Sequence, residues 1–117
     1  MRVTAVRTVL VTAPWTGDPF WVPDARFERT AALVVVETDE GVDGVGETIM
    51  GYFAAETVPP LVGYYAQLLT DPELRLDPTQ PERCFDELYQ RSLWWGRVGL
   101  AVSVLSGIEM ALWDLAG

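Results

Sequence analysis

The sequence predicts an α+β fold: a three-stranded antiparallel meander followed by a helical segment. Three observations carry that expectation. The first half holds β-branched stretches of strand length, divided by clusters of turn residues. The second half holds apolar residues at helical spacing, with prolines near the helix starts. The two patterns are segregated along the chain, which argues against alternating βαβ units.

Arg2 to Thr12 opens the meander. Thr4, Val6, Thr8, Leu10 and Thr12 fall on one side and Val3, Ala5, Arg7, Val9 and Val11 on the other, a period of two in β-branched residues. Ala13-Pro14 is expected to end the strand, because proline supplies no ladder donor. Residues 14–28 form an irregular loop with three Pro and one Gly. The loop carries Trp15, Phe20, Trp21 and Phe27, more aromatic surface than a solvated connection needs. Two readings stay open: the rings fold back on their own sheet, or they cover a pocket or partner surface. In the second, Asp18, Asp24 and Arg26 place polar contacts there.

Thr30 to Asp39 is apolar on both faces at its middle, as a central strand requires. Asp39-Glu40-Gly41 turns the chain into a third strand, Val42 to Ile49. Asp39, Glu40 and Asp43 lack the loop frame and the closing bidentate Glu of a calcium site, so a hydrated hairpin turn explains them. Gly41-x-x-Gly44-x-Gly46 is no dinucleotide fingerprint, which must lie between a strand and a helix. A tight turn and a close backbone approach account for these glycines. Glu47 ends the strand, expected to bond locally and orient the next segment. That segment, Met50-Gly51-Tyr52-Phe53, reads as a second short aromatic loop.

A helix follows from about Thr57 to Leu69, with Pro59 and Pro60 tolerable in its first turn. Leu61, Tyr64, Tyr65 and Leu68 give it an apolar stripe. After the linker 71–78, Thr79-x-x-Glu82 reads as a capping box with Pro81 in the first turn. Phe85, Leu88 and Tyr89 form the inner stripe of this helix, and Glu87 and Arg91 an outer i, i+4 pair. Trp94-Trp95-Gly96-Arg97 ends it. A last helix starts near Val98.

Composition excludes several function classes. Seventeen acidic residues face eight arginines, no lysine and no histidine, for a net charge of −9. No basic patch offsets phosphate repulsion, so neither nucleic acid nor an anionic membrane surface is an expected partner. There is no signal-like start and no apolar run of about eighteen residues, and a cytoplasmic location is expected. The lone Cys84 has no histidine to activate it and reads as a packing residue. Glu109 and Asp114 point about 140° apart on a helix and cannot share a metal or a proton there. Glu82 and Asp86 lie among ordinary surface charges. By its own residues the chain holds no complete catalytic constellation and no metal site.

The last helix carries the most specific pattern. Leu105, Ile108, Leu112 and Leu115 mark one helical face, and Ala101, Val104, Met110, Ala111 and Trp113 widen it until little polar surface is left. Gly107-Ile108-Glu109-x-Ala111-Leu112-x-Asp114-Leu115-x-Gly117 resembles the first signature of the mandelate racemase/muconate lactonising branch of the enolase superfamily, with Val104 where that signature opens with Ala. Meander, aromatic loop, Gly46-Glu47 strand end and Trp-rich turn extend the resemblance over nearly the whole chain. It implies an enolase N-terminal-domain-like fold whose catalytic barrel is absent from this sequence. Residues 1–97 would be the capping domain and 98–117 the start of the helix leading to the barrel.

In that family the cap closes over a (β/α)-barrel whose strand ends hold magnesium and whose Lys or His abstracts a proton α to a carboxylate. The cap excludes water and selects the far end of the substrate. The resemblance therefore places Mg2+ in the parent enzyme and no cofactor, catalytic residue or metal ligand in this chain. Trp15, Phe20, Trp21 and Tyr52 are expected to face the pocket. The parent would be a homo-oligomeric dehydratase, racemase or cycloisomerase acting on a small carboxylate, sugar-acid dehydration being favoured. The rival reading is a non-catalytic α+β interaction or dimerisation module, whose bare terminal helix would pair with a partner.

Overall fold

The computed structural model describes residues 1–15 and 28–117. Three strands, β1 (Val3–Pro14), β2 (Glu28–Thr38) and β3 (Asp43–Thr48), form one sheet in the order β1-β2-β3. Both pairings are antiparallel, with Pro14 opposite Glu28 at one end of the first ladder and Ala32 opposite Thr48 in the second. Then come α1 (Met50–Ala54), a 3-10 turn (Ala55–Thr57), α2 (Val58–Leu69), α3 (Pro81–Gly96) and α4 (Leu100–Ala116). The predicted meander and its central strand are therefore present, with the helices following.

The core lies between the sheet and the helices. Ala32, Val34 and Val36 of β2 meet Val58, Val62 and Tyr65 of α2, Leu88 of α3 and Leu105, Ile108 and Leu112 of α4, all essentially inaccessible to water. One polar pair lies within it: the Tyr65 hydroxyl donates to Ser92 Oγ at 2.9 Å, and Ser92 Oγ donates to Leu88 O at 3.1 Å. A buried hydroxyl needs such a partner, since leaving it unpaired costs about 1–3 kcal/mol. Helix α4 buries its inner face against this chain's own sheet and helices. The large apolar surface expected of a bare terminal helix is thus mostly consumed internally, leaving Met110 and Trp113 about half exposed on its outer side.

Four local expectations give way. β1 runs through Ala13-Pro14 instead of stopping before it. As an edge strand it needs no outward amide, so proline is tolerated at its end. Met50–Phe53 is not a loop but the body of α1, begun by the Met50 amide donating to Thr48 Oγ1 at 3.4 Å and the Tyr52 amide to Ile49 O at 3.0 Å. Gly51 is buried there, and the turn lies so close on Ala32 that a Cβ would collide with its backbone. The capping box does not form. Asp77 Oδ1 accepts from the Thr79 amide at 2.9 Å and the Thr79 hydroxyl at 2.7 Å, so the threonine faces back into its turn and Gln80 stands at the helix N-terminus without a side-chain cap. These bonds hold the Asp77 carboxyl below its ordinary range. Finally, α4 begins at Leu100, after Gly99 at φ 80°, two residues later than expected.

Candidate functional site

The signature helix meets β3 along a seam built from small residues. Gly44 and Gly46 alternate along the strand and face α4, where a Cβ on either would overlap the backbone carbonyl of Ala111 or Gly107. A Cβ on Gly107 would in turn lie 3.1 Å from Thr48 Cβ. Strand and helix backbones therefore touch nearly directly, which only glycine and alanine permit. Asp114 completes the seam: its Oδ2 accepts from the Val45 amide at 2.9 Å, satisfying a donor that an edge strand otherwise leaves open. Glu109 lies on another side and receives the Trp113 indole N–H at 3.5 Å. Asp114 and the small residues of the signature thus lock a helix to a strand.

At one end of the meander the side chains gather differently. The end of β1, the start of β2, the end of β3 and α1 meet there. Arg29 is the centre. Its guanidinium carbon lies 3.7 Å from the centroid of the Trp15 ring and 5.1 Å from that of Tyr52, a cation held by two aromatic faces. Tyr52 meets Phe53 edge-on at 5.0 Å. Arg29, Thr30, Glu47, Ile49, Tyr52 and Phe53 are among the residues around a hollow of about 360 Å³, within the size range of small-molecule sites. A second hollow of about 460 Å³ lies beyond the Glu47–Ile49 ridge, against Ser103, Ser106 and Met110 of α4.

Of the four residues expected to face a pocket, Trp15 and Tyr52 come together around Arg29, while Phe20 and Trp21 lie outside the described residues. Sequence reasoning missed Arg29 itself. It falls between the loop read over 14–28 and the strand read from Thr30, and only the fold that sets it beside Trp15 and Tyr52 reveals it. Glu47 does not orient the next segment; it is exposed between the two hollows. Thr48 does so instead, its hydroxyl donating to Ser103 O at 2.8 Å while accepting from the Met50 amide.

Among the described residues no three His, Cys, Asp or Glu side chains come together to hold a metal ion, and Asp114 and Glu109 are engaged as above. The described residues do not fit a magnesium site. Cys84 is buried, its Sγ 3.2 Å from Asp77 O, and burial followed by the Asp77 charge pushes its thiol up to about 11. A thiol so placed is inert. No helix among the described residues is long and apolar enough to cross a membrane.

Comparison with known proteins agrees with the architecture. The chain is 36% identical to D-galactarolactone cycloisomerase of Agrobacterium fabrum over its whole length, covering 29% of that enzyme. It is 29% identical to L-rhamnonate dehydratase of Saccharopolyspora erythraea, covering 34% of it. The chain therefore spans about a third of the length of these curated relatives. A crystal structure from Sinorhizobium meliloti, in an open-loop conformation, superposes with a TM-score of 0.81 at 28% identity, over 99% of this chain and 32% of that one. An enolase-superfamily member from Agrobacterium tumefaciens shares the fold, with a TM-score of 0.81 at 23% identity over 99% of this chain and 34% of that one. The family profile described as the mandelate racemase / muconate lactonizing enzyme N-terminal domain matches residues 5–117. With most of β1 and all of β2, β3, the helices and the strand–helix seam inside that match, the chain belongs to this family, as its N-terminal domain.

Proposed function

We propose that this domain is the specificity cap of a magnesium-dependent enolase-superfamily enzyme that removes a proton α to the carboxylate of a sugar acid, as a dehydratase or cycloisomerase. The chemistry would belong to a C-terminal (β/α)-barrel, and this domain would shape the end of the chamber remote from the reacting carbon. The observation that carries the reading is the cluster at the mouth of the meander. An arginine, two aromatic rings and a carboxylate line a hollow of small-molecule size, yet none is arranged to attack or deprotonate anything. Such a surface binds and orients; it does not react. Sugar acids are favoured because the relatives named above are a sugar-lactone cycloisomerase and a sugar-acid dehydratase. Residues 98–117 would connect the cap to the barrel, and the assembled enzyme would be a cytoplasmic homo-oligomer.

The rival module needs a bare terminal helix to pair with a partner, and α4 instead spends most of its apolar face on its own core. The same burial removes that helix as an argument for the fragment reading, which is supported instead by the family match. The test is turnover. Full-length protein supplied with Mg2+ and a panel of sugar acids in D2O should convert at least one acid, with deuterium appearing at the α carbon of substrate or product. No conversion and no exchange across the panel would overturn the reading.

A further inference from the structure

Arg29 differs in its partners from other arginines of the domain. Arg7 and Arg91 each place Nε against a carboxylate, Glu37 at 2.6 Å and Glu87 at 2.8 Å, and are neutralised by it. Arg29 is held by ring faces. A cation–π contact fixes the plane of a guanidinium without using its N–H donors. Among the described residues no carboxylate pairs with Arg29, and its side chain stands on the wall of the 360 Å³ hollow. The result is a pre-oriented, positively charged fork open to a small-molecule space. Its natural complement is a planar anion with two oxygens.

Charge makes the assignment more specific. The domain carries −9 overall, and Glu47 lines the same hollow. A ligand with a negative end is repelled from this surface except where a local cation receives it. An uncharged polyol end needs no such cation, and Glu47 can accept from its hydroxyls. We propose that Arg29 is a specificity-determining residue that receives a second carboxylate, at the substrate end remote from the reacting carbon. The preferred substrate class is then a polyhydroxylated dicarboxylic acid, with Trp15 and Tyr52 as positioning residues that hold the guanidinium plane. This inference rests on the cap reading above.

The experiment compares kcat/KM of the full-length, Mg2+-supplied protein for six-carbon sugar diacids and for the matching monoacids of the same hydroxyl configuration. The wild type should prefer a diacid. Arg29→Gln should lower kcat/KM for that diacid by about 30-fold or more, the range of a lost charge-assisted fork, and leave the monoacid within about threefold. Arg29→Lys keeps the charge without the planar fork and should recover only part of the loss. Since Arg29 is exposed, both variants should melt within a few degrees of wild type, which separates a binding effect from a folding one. Equal losses on both substrate classes, or full activity in Arg29→Gln, would overturn the assignment. Turnover of monoacids alone would overturn it while leaving the cap reading intact. No turnover of either class would remove both.

Discussion

The seam between β3 and α4 and the mouth around Arg29 both involve the last residues of β3, yet they obey opposite rules. At the seam, Gly44, Gly46, Gly107 and Ala111 bring two backbones into contact, and a Cβ on Gly44 or Gly46 must displace a carbonyl. At the mouth, large side chains enclose open volume and touch through ring faces, where an atom can be removed or added at little structural cost. The difference teaches where a family pattern and a function part company. The signature helix is distinctive because its packing tolerates so few residue types. The residues at the mouth meet through ring faces beside open volume, so their packing restricts residue type far less.

That contrast can be broken or sharpened by substitution. The largest effect is expected at the seam. Gly46→Val would drive its side chain into the Gly107 carbonyl, and should cost about 3 kcal/mol or more, read as a fall in the urea midpoint or as loss of soluble protein. A fully stable Gly46→Val variant would show that the strand and helix are not locked as described. Inside the core, Ser92→Ala strands the Tyr65 hydroxyl, normally bonded at 2.9 Å. A loss of about 1–2 kcal/mol is expected in the same melt, with Tyr65→Phe in the Ser92→Ala background restoring part of it. Asp114→Ala frees the Val45 amide at the sheet edge, where water can replace the carboxylate, so about 1 kcal/mol is the ceiling. Faster hydrogen exchange confined to Val45 and its neighbours would accompany that loss.

The smallest effect is electrostatic. Asp77 is held below its ordinary range, chiefly by the Thr79 hydroxyl and then by the Thr79 amide. A carboxyl depressed in the folded state contributes stability above its unfolded pKa, and that contribution is lost as the pH falls through the folded value. Thr79→Val should therefore leave slightly less stability to lose below about pH 4 than wild type has. Because Asp77 is only partly buried, solvent screening keeps the difference small. Identical acid-melting curves would show that the hydroxyl contributes nothing to the turn.

Legibility in the sequence followed the same division. The meander and its central strand were readable because Ala32 to Val36 is apolar on both faces, and the terminal helix because its apolar positions recur at helical spacing. The glycines near Gly44 and Gly46 were readable as a close approach, though not what approached them. Local competition defeated other readings. Thr79 has the spacing of a capping box, but Asp77, two residues upstream, offers its hydroxyl and amide a nearer acceptor. Met50–Phe53 resembled a loop because its contact with Ala32 is tertiary and leaves no local trace. At the site, Trp15 and Tyr52 stood out as aromatics near loops, whereas Arg29 became visible only once β-sheet register placed it beside them.

The central claim is that the mouth of the meander chooses the substrate while contributing little to the fold. Its most direct test is the Trp15→Ala/Tyr52→Ala double variant of the full-length protein, compared with wild type for kcat/KM on the preferred sugar acid and for thermal melting. The account predicts a drop in kcat/KM of about tenfold or more, carried mainly by KM, with the melting temperature shifted by only about 2–4 °C. Unchanged kcat/KM, or a collapse of melting temperature in step with activity, would contradict it.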